Sequence, residues 1–341
     1  MTTFRQIRTD FSFPIGYGEV GIEIETEAKS PYDRPRSKYW DAKEDGSLRN
    51  VGVEYVLIKP LDHNSKEYNE ALDEFDAFQK KIKFIDSPYT SVHVHLNMVD
   101  RELIHMANFI TLYLIFENVL TRYCGPDRDG NLFCLKTKDA EQLYRVYKDL
   151  IYNIDQGLGA KHCTRLVSSH IKYSALNIAN LRTLGSLEIR THGGTTDVKE
   201  IRRWVDILMC LYNKAQKFSS PVEIVNLFKD KKKNIDLVKL IFGQNADYFS
   251  KEHIDNDIDK TLFYAASIAT TVKDWSKYPA LASPKPLFKN RMVSFNTASF
   301  DEIDATEGMW ANANDRQWLL DRLAHYQNTT LQQTIEPVGD M

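Results

Sequence analysis

Residues 19–28 read EVGIEIETEA, and the alternation in that stretch decides the fold. Val20, Ile22 and Ile24 fall on one face, and Glu19, Glu23, Glu25 and Glu27 on the other, a period of two that only a strand produces. Working outward, residues 30–46 are turn-rich, with Pro31, Pro35 and the Asp45-Gly46 pair. A second strand is predicted at about 51–58, stopped by Lys59-Pro60, and a third alternating run, SVHVHLNM, at 91–98. Strand-like runs return at 173–179 and 187–191, parted by a turn containing Gly185. Helical spacing marks 67–82, 101–123, 140–154 and 198–217, the last with Ile201, Trp204, Ile207, Leu208 and Leu211 on its apolar face. The prediction is an α+β fold, with residues 1–220 as the chemical core. Residues 221–341 are expected to form a helical extension packed on it, with a solvated basic run at 229–233, prolines at 279, 284 and 286, and a final helix near 314–327.

Composition narrows the class. The chain has 341 residues, enough to bury a sizeable core without disulfides. With 44 Lys+Arg against 47 Asp+Glu the net charge is −3, which makes no case for a general nucleic-acid or polybasic membrane surface. The four cysteines (Cys124, Cys134, Cys163, Cys210) show no CxxC or other metal spacing and read as reduced thiols in a cytoplasmic protein. The most apolar segment, 103–120, is broken by His105, Asn108, Glu117 and Asn118, so it is expected to be a buried helix rather than a membrane span.

The strands differ from ordinary sheet in what their polar faces carry. Glu23 and Glu25 share one face; Glu54 projects from the second strand; His93, His95 and Asn97 share a face of the third; Glu188 and Arg190 share a face of the last. A solvated face mixes Lys, Thr, Ser and Glu, whereas these hold carboxylates, imidazoles and one arginine. Neighbouring carboxylates repel by roughly 1 kcal/mol or more per close pair, so gathering them on one sheet makes sense where divalent cations neutralise them. Carboxylate oxygens with one or two imidazoles suit Mg²⁺ or Mn²⁺ better than a dedicated zinc site. The residues thus read as a nucleoside triphosphate held on a sheet by metals, with Arg190 offering fixed positive charge to a transferring phosphoryl group.

The order of the motifs GIEIE (21–25), DGSL (45–48), GVEYVLIKP (52–60), VHVHLN (92–97), KYSALNI (172–178) and LEIRTHGGT (187–195), followed by Trp204, resembles the amidoligases. These belong to the carboxylate–amine ligase superfamily with glutamine synthetase and glutamate–cysteine ligase, and the resemblance covers roughly residues 15–215. It implies a curved antiparallel sheet forming a funnel, with ATP entering one end and the acid and amine, small or macromolecular, the other. By similarity Glu23, Glu25, Glu54, His93 and Glu188 match metal-binding positions, and His95 and Arg190 match positions near the nucleotide and its transferred phosphoryl group. Glu188 and Arg190 are the expected catalytic pair. Asp45 matches an acidic position beside the site, Lys172 and Asn177 a motif facing substrate or phosphate, and Gly193-Gly194 a loop passing close to substrate. Two positions depart from the pattern: Ser91 stands where a glycine precedes the His-x-His strand, and Lys172 where arginine is common. Two other readings compete, a metal-dependent hydrolase using His93 and His95, whose strand would open a barrel, and a catalytically idle binding relative. The region after Pro221 is expected to shape acceptor choice.

Overall fold

The computed structural model describes residues 18–85, 87–99, 101–140, 142–157, 173–229 and 234–278. Lys172, Cys163 and the expected helix at 314–327 lie outside the described residues.

The fold is α+β. In chain order its strands are β1 (Val20–Ala28), β2 (Trp40–Glu44), β3 (Val51–Leu57), β4 (Phe84–Ile85), β5 (Ser91–Asn97), β6 (Leu176–Asn177) and β7 (Ser186–Gly193). Its helices are α1 (Lys66–Gln79), α2 (Leu103–Cys124), α3 (Gln142–Asp155), α4 (Asn180–Thr183), α5 (Val198–Ala215), α6 (Pro221–Phe228), α7 (Asn234–Phe242) and α8 (Ile254–Ala269). Among the described residues one open antiparallel sheet of seven strands runs β2-β3-β1-β5-β7-β6, with β4 also pairing β1. The acidic strand β1 is therefore not an edge strand. It lies between β3 and β5, so its glutamates are flanked on both sides by other strands.

One face of this sheet is apolar. Val20, Ile22 and Ile24 of β1, Val92, Val94 and Leu96 of β5, and Leu187 and Ile189 of β7 are all fully buried in a core shared with α1, α2 and α5. Burying each such side chain contributes about 1.5–3 kcal/mol, which sets the strand register and so forces the alternate residues onto the opposite face. Helix α2 is the core element, and it packs against α5, α6, α8 and β7. Among the described residues it is the one helix long and apolar enough to cross a membrane, yet that apolar window is wholly buried inside the protein. The polar residues that interrupt it explain why: each ties α2 to another element. The His105 ring bonds Tyr212 O at 2.9 Å, and Asn108 donates to Ala215 O and Phe218 O. Glu117 accepts from Thr137, and Asn118 donates to Asp257 O.

The structure corrects two of the expected elements. The turn-rich stretch hides β2, an edge strand whose sequence WDAKE is mostly exposed past Trp40; a charged, half-exposed edge carries little periodic signal. The strand expected at 173–179 shrinks to Leu176–Asn177. Before it, Ser174 makes only an isolated parallel bridge to Leu135. After it, the Asn177 side chain accepts from Ala179 N and α4 begins at Asn180.

A bulge shapes the last strand. Val92 pairs with His192 and Val94 with Ile189, so Arg190 and Thr191 together stand opposite His93. The two carbonyls freed from the ladder are taken by a buried guanidinium: Arg128 donates to Arg190 O and Thr191 O, each at 2.8 Å. The Tyr113 hydroxyl and Thr191 Oγ1, 2.8 Å apart, tie the same point to α2.

Candidate active site

The register gathers the polar faces. On neighbouring strands Glu23 lies opposite His93, Glu25 opposite Glu54, His95 opposite Glu188, and Asn177 opposite Glu188. Directly opposed residues share a face. Glu23 bridges the two imidazoles, with Oε2 3.1 Å from His93 Nδ1 and Oε1 3.1 Å from His95 Nε2. The His95 Nδ1 lies 3.0 Å from Ser186 Oγ. Glu188 is 2 % exposed and held from three sides: Arg190 Nη1 donates to Oε1 at 2.5 Å, and Asn177 and Asn180 each donate to Oε2 at 2.6 Å. Arg190 is itself anchored by donating from Nε to Phe133 O at 3.3 Å. Ser91 Oγ touches both Glu25 and His93.

Among the described residues three overlapping sets form, the ligand atoms within each lying within 4.8 Å of one another: Glu23, Glu54 and His93; Glu23, His95 and Glu188; and Glu25, Asp45 and Glu54. Asp45 reaches its set from the turn after β2, where Oδ1 also accepts from Ser47 N and Ser47 Oγ. The donors are oxygen-rich with two imidazoles, which fits hard or borderline divalent cations.

The charges are not balanced among the protein's own groups. Burial pushes the Glu54 carboxyl up to about 9, helped by Glu23, Glu25, Asp45 and Glu188. Burial also raises Glu23, but the charges and hydrogen bonds of His95 and His93 outweigh it and hold that carboxyl well below the usual range. Glu188 follows the same pattern: Arg190 and the two histidines outweigh its burial. Burial lowers His95, yet Glu23 and Glu188 carry it above an ordinary histidine. Each partner's opposite charge favours the ionised form, whereas the shift of Glu54 comes from burial and from other carboxyls.

The other two glutamates of the 19–28 stretch do different work. Glu19 sits 2.9 Å from His63. Glu27 is buried and accepts from Arg49 N at 2.8 Å and Asn50 Nδ2 at 2.9 Å, which pins the β2–β3 turn where Asn50 takes φ 56°. The close approach at Gly194 is to protein: a Cβ there would stand 1.9 Å from Thr90 Oγ1, and Gly194 N donates to Thr90 O. Sequence reasoning missed Asn180 and Ser186 as supports, because a lone small polar residue carries no pattern. Ser91 was visible only as a departure from the family's motif order.

The fold and site together define an α+β protein whose open antiparallel sheet presents a carboxylate- and imidazole-rich face with the Arg190 guanidinium fixed on it. Residues 38–211 match the family described as "Putative amidoligase enzyme", and the chain belongs to that family, whose description is that of a ligase-type enzyme. No curated protein matches the chain. Strand β1 precedes the matched span, and it is the sheet register that brings Glu23 and Glu25 to the matched residues.

Proposed function

We propose that this protein is an ATP- and Mg²⁺-dependent carboxylate–amine ligase that forms an amide or isopeptide bond through an acyl phosphate, on a sheet acting as the funnel of the glutamine synthetase-like fold. The observation that carries the reading is the overlap of three donor sets on one face, with more carboxyl groups than the local cations neutralise. Glu23, Glu25, Asp45, Glu54, His93, His95 and Glu188 would hold Mg²⁺ or Mn²⁺, which would offset the carboxylate charge and that of the nucleotide phosphates.

The chain's own groups account for the rest. An acid substrate's carboxylate oxygen attacks the γ-phosphorus, forming a P–O bond as ADP leaves. Arg190, fixed between Glu188 Oε1 and Phe133 O, offers its guanidinium to the phosphoryl group during transfer. Asn177 and Asn180 hold Glu188, so that arginine and ligand move as one unit. A neutral amine then attacks the acyl carbon, inorganic phosphate departs, and the amine proton passes to a carboxylate or water. Lys172, by its place in the motif order, is assigned a phosphate- or substrate-facing role.

The test is phosphate release from Mg-ATP with pooled carboxylates and pooled amines, supplied together and separately, with Glu188→Gln as control. Release that needs both pools and vanishes in the variant is expected. Amide hydrolysis without ATP, retained after exchange of Mg²⁺ for Zn²⁺, would replace the ligase with a hydrolase.

A further inference from the structure

One small side chain touches two of the three donor sets. Ser91 opens β5 and is buried, with its hydroxyl 2.5 Å from Glu25 Oε2 and 2.6 Å from His93 Nε2. Glu25 belongs to the set with Asp45 and Glu54, and His93 to the set with Glu23 and Glu54. A carboxylate that ligates a cation is ionised and only accepts, so the one proton of the hydroxyl goes to Glu25. What Oγ then presents to His93 is a lone pair, and Nε2 must carry the hydrogen. A neutral imidazole protonated at Nε2 has its free lone pair at Nδ1. That is the nitrogen aimed into the site, 3.1 Å from Glu23 Oε2 and 3.4 Å from Glu188 Oε1, where a bound cation would take the place of the hydrogen that His93 gives Glu23 in the cation-free fold.

We infer that Ser91 is a positioning residue that couples two cation sets: its hydroxyl locks His93 in the Nε2–H tautomer with Nδ1 as the ligating atom, and it engages one oxygen of Glu25 while leaving Oε1 to the Asp45–Glu54 set. The inference rests on the metal-binding reading proposed above. It follows the general behaviour of ligating histidines, whose second nitrogen donates to a fixed acceptor that sets tautomer and ring orientation. Here the acceptor is a hydroxyl already oriented by a second ligand, so the two sets are linked by a single proton direction. Opposite Ser91 stands Gly193, which puts no side chain of its own against it.

The experiment uses the full chain as wild type, Ser91→Ala and Ser91→Thr. Mn²⁺ is titrated by calorimetry without nucleotide, and the imidazole nitrogens are read by ¹⁵N NMR with Mg²⁺ present, His93 being assigned from a His93→Gln sample. Thermal melts check that each variant is folded. The expected result is Mn²⁺ binding weakened by roughly 10–100-fold in Ser91→Ala, with His93 no longer held as a single Nε2–H tautomer. Ser91→Thr should restore both. Ser91→Ala protein that binds Mn²⁺ as tightly as wild type with an unchanged His93 spectrum would overturn the inference alone. So would weakened binding in both variants with the tautomer intact, since that is a packing effect. Wild-type protein that binds no Mn²⁺ would overturn the metal reading and this inference with it.

Discussion

Two buried glutamates, Glu54 in the sheet and Glu117 in α2, are both raised above the usual carboxylate range by burial, and they are surrounded by opposite chemistry. Glu117 is pushed to about 7, and its neighbours pull it down: Thr137 N donates to both carboxylate oxygens at 3.0 Å, Thr137 Oγ1 adds a third bond, and Lys136 is near. Glu54 is pushed to about 9, and every neighbour that shifts it is another carboxyl pushing the same way. One carboxyl is answered by donors of the protein itself. The other stands in a cluster that fits a ligand from outside. Burial alone therefore does not separate a structural acid from a functional one; the sign of the surrounding groups does.

The largest effect should come from Arg190, the guanidinium fixed beside Glu188. Arg190→Lys gives up the paired anchoring to Glu188 and Phe133 O. Phosphate release should fall by on the order of 10³-fold while Mn²⁺ affinity measured without nucleotide changes little. Comparable losses in both would assign Arg190 to holding the ligands in place rather than to phosphoryl transfer.

Next in size is a pH effect on the structural side of the comparison. Burial, with Arg101 close by, depresses His105 to about 3. A proton therefore prefers the unfolded chain, where histidine titrates near 6.5. The stability tied to neutral His105 is intact above that value and drains as pH falls from about 6.5 toward 3, amounting to about 3 kcal/mol by pH 4. Glu117 acts in the opposite sense over part of the same window, so the clean measurement is the difference in urea midpoint between wild type and His105→Gln at pH 7 and pH 4. An identical pH dependence in both proteins would remove His105 from this role.

Two substitutions then sharpen the contrast directly. Glu117→Ala strips Thr137 of its acceptor and opens a void, lowering unfolding free energy by about 3 kcal/mol. Glu54→Gln removes a carboxyl that must take up a proton on folding, its pKa rising from 4.5 to about 9, and should raise the stability of the metal-free protein at pH 7 by about 3 kcal/mol, with weaker Mn²⁺ binding. Denaturant titrations of both variants read the two signs; a loss of stability in Glu54→Gln would break the comparison.

Much of this was legible because a strand reports its faces residue by residue. Val20, Ile22 and Ile24 show which side of β1 is core, and Glu23 and Glu25 follow from them. What alternation cannot do is rank members of one face. Glu27 has the same period as Glu25, and only the turn carrying Arg49 and Asn50 above it makes it structural. The interruptions of α2 were legible as signs of a buried core helix, but not their partners, which lie up to 139 residues away, as Asp257 O does from Asn118. β2 was missed because an edge strand of charged residues has one informative side chain, Trp40. The bulge was missed because an extra residue in a strand changes pairing without changing composition.

That bulge also makes β7 a keyed part. Ahead of it, Glu188 and Arg190 face the site; beyond it, Gly193 does so only because one additional residue has reset the parity of the strand. Removing a single residue between Ile189 and His192 would restore an unbroken ladder and leave the Arg128 guanidinium with the wrong carbonyls to hold. The residues past the deletion would keep their faces, because the restored ladder still sets His192 against Val92 and Gly193 against Ser91. The length of this strand is therefore held by its contact with Arg128: one residue fewer leaves the pairing whole and takes away a carbonyl that the guanidinium holds.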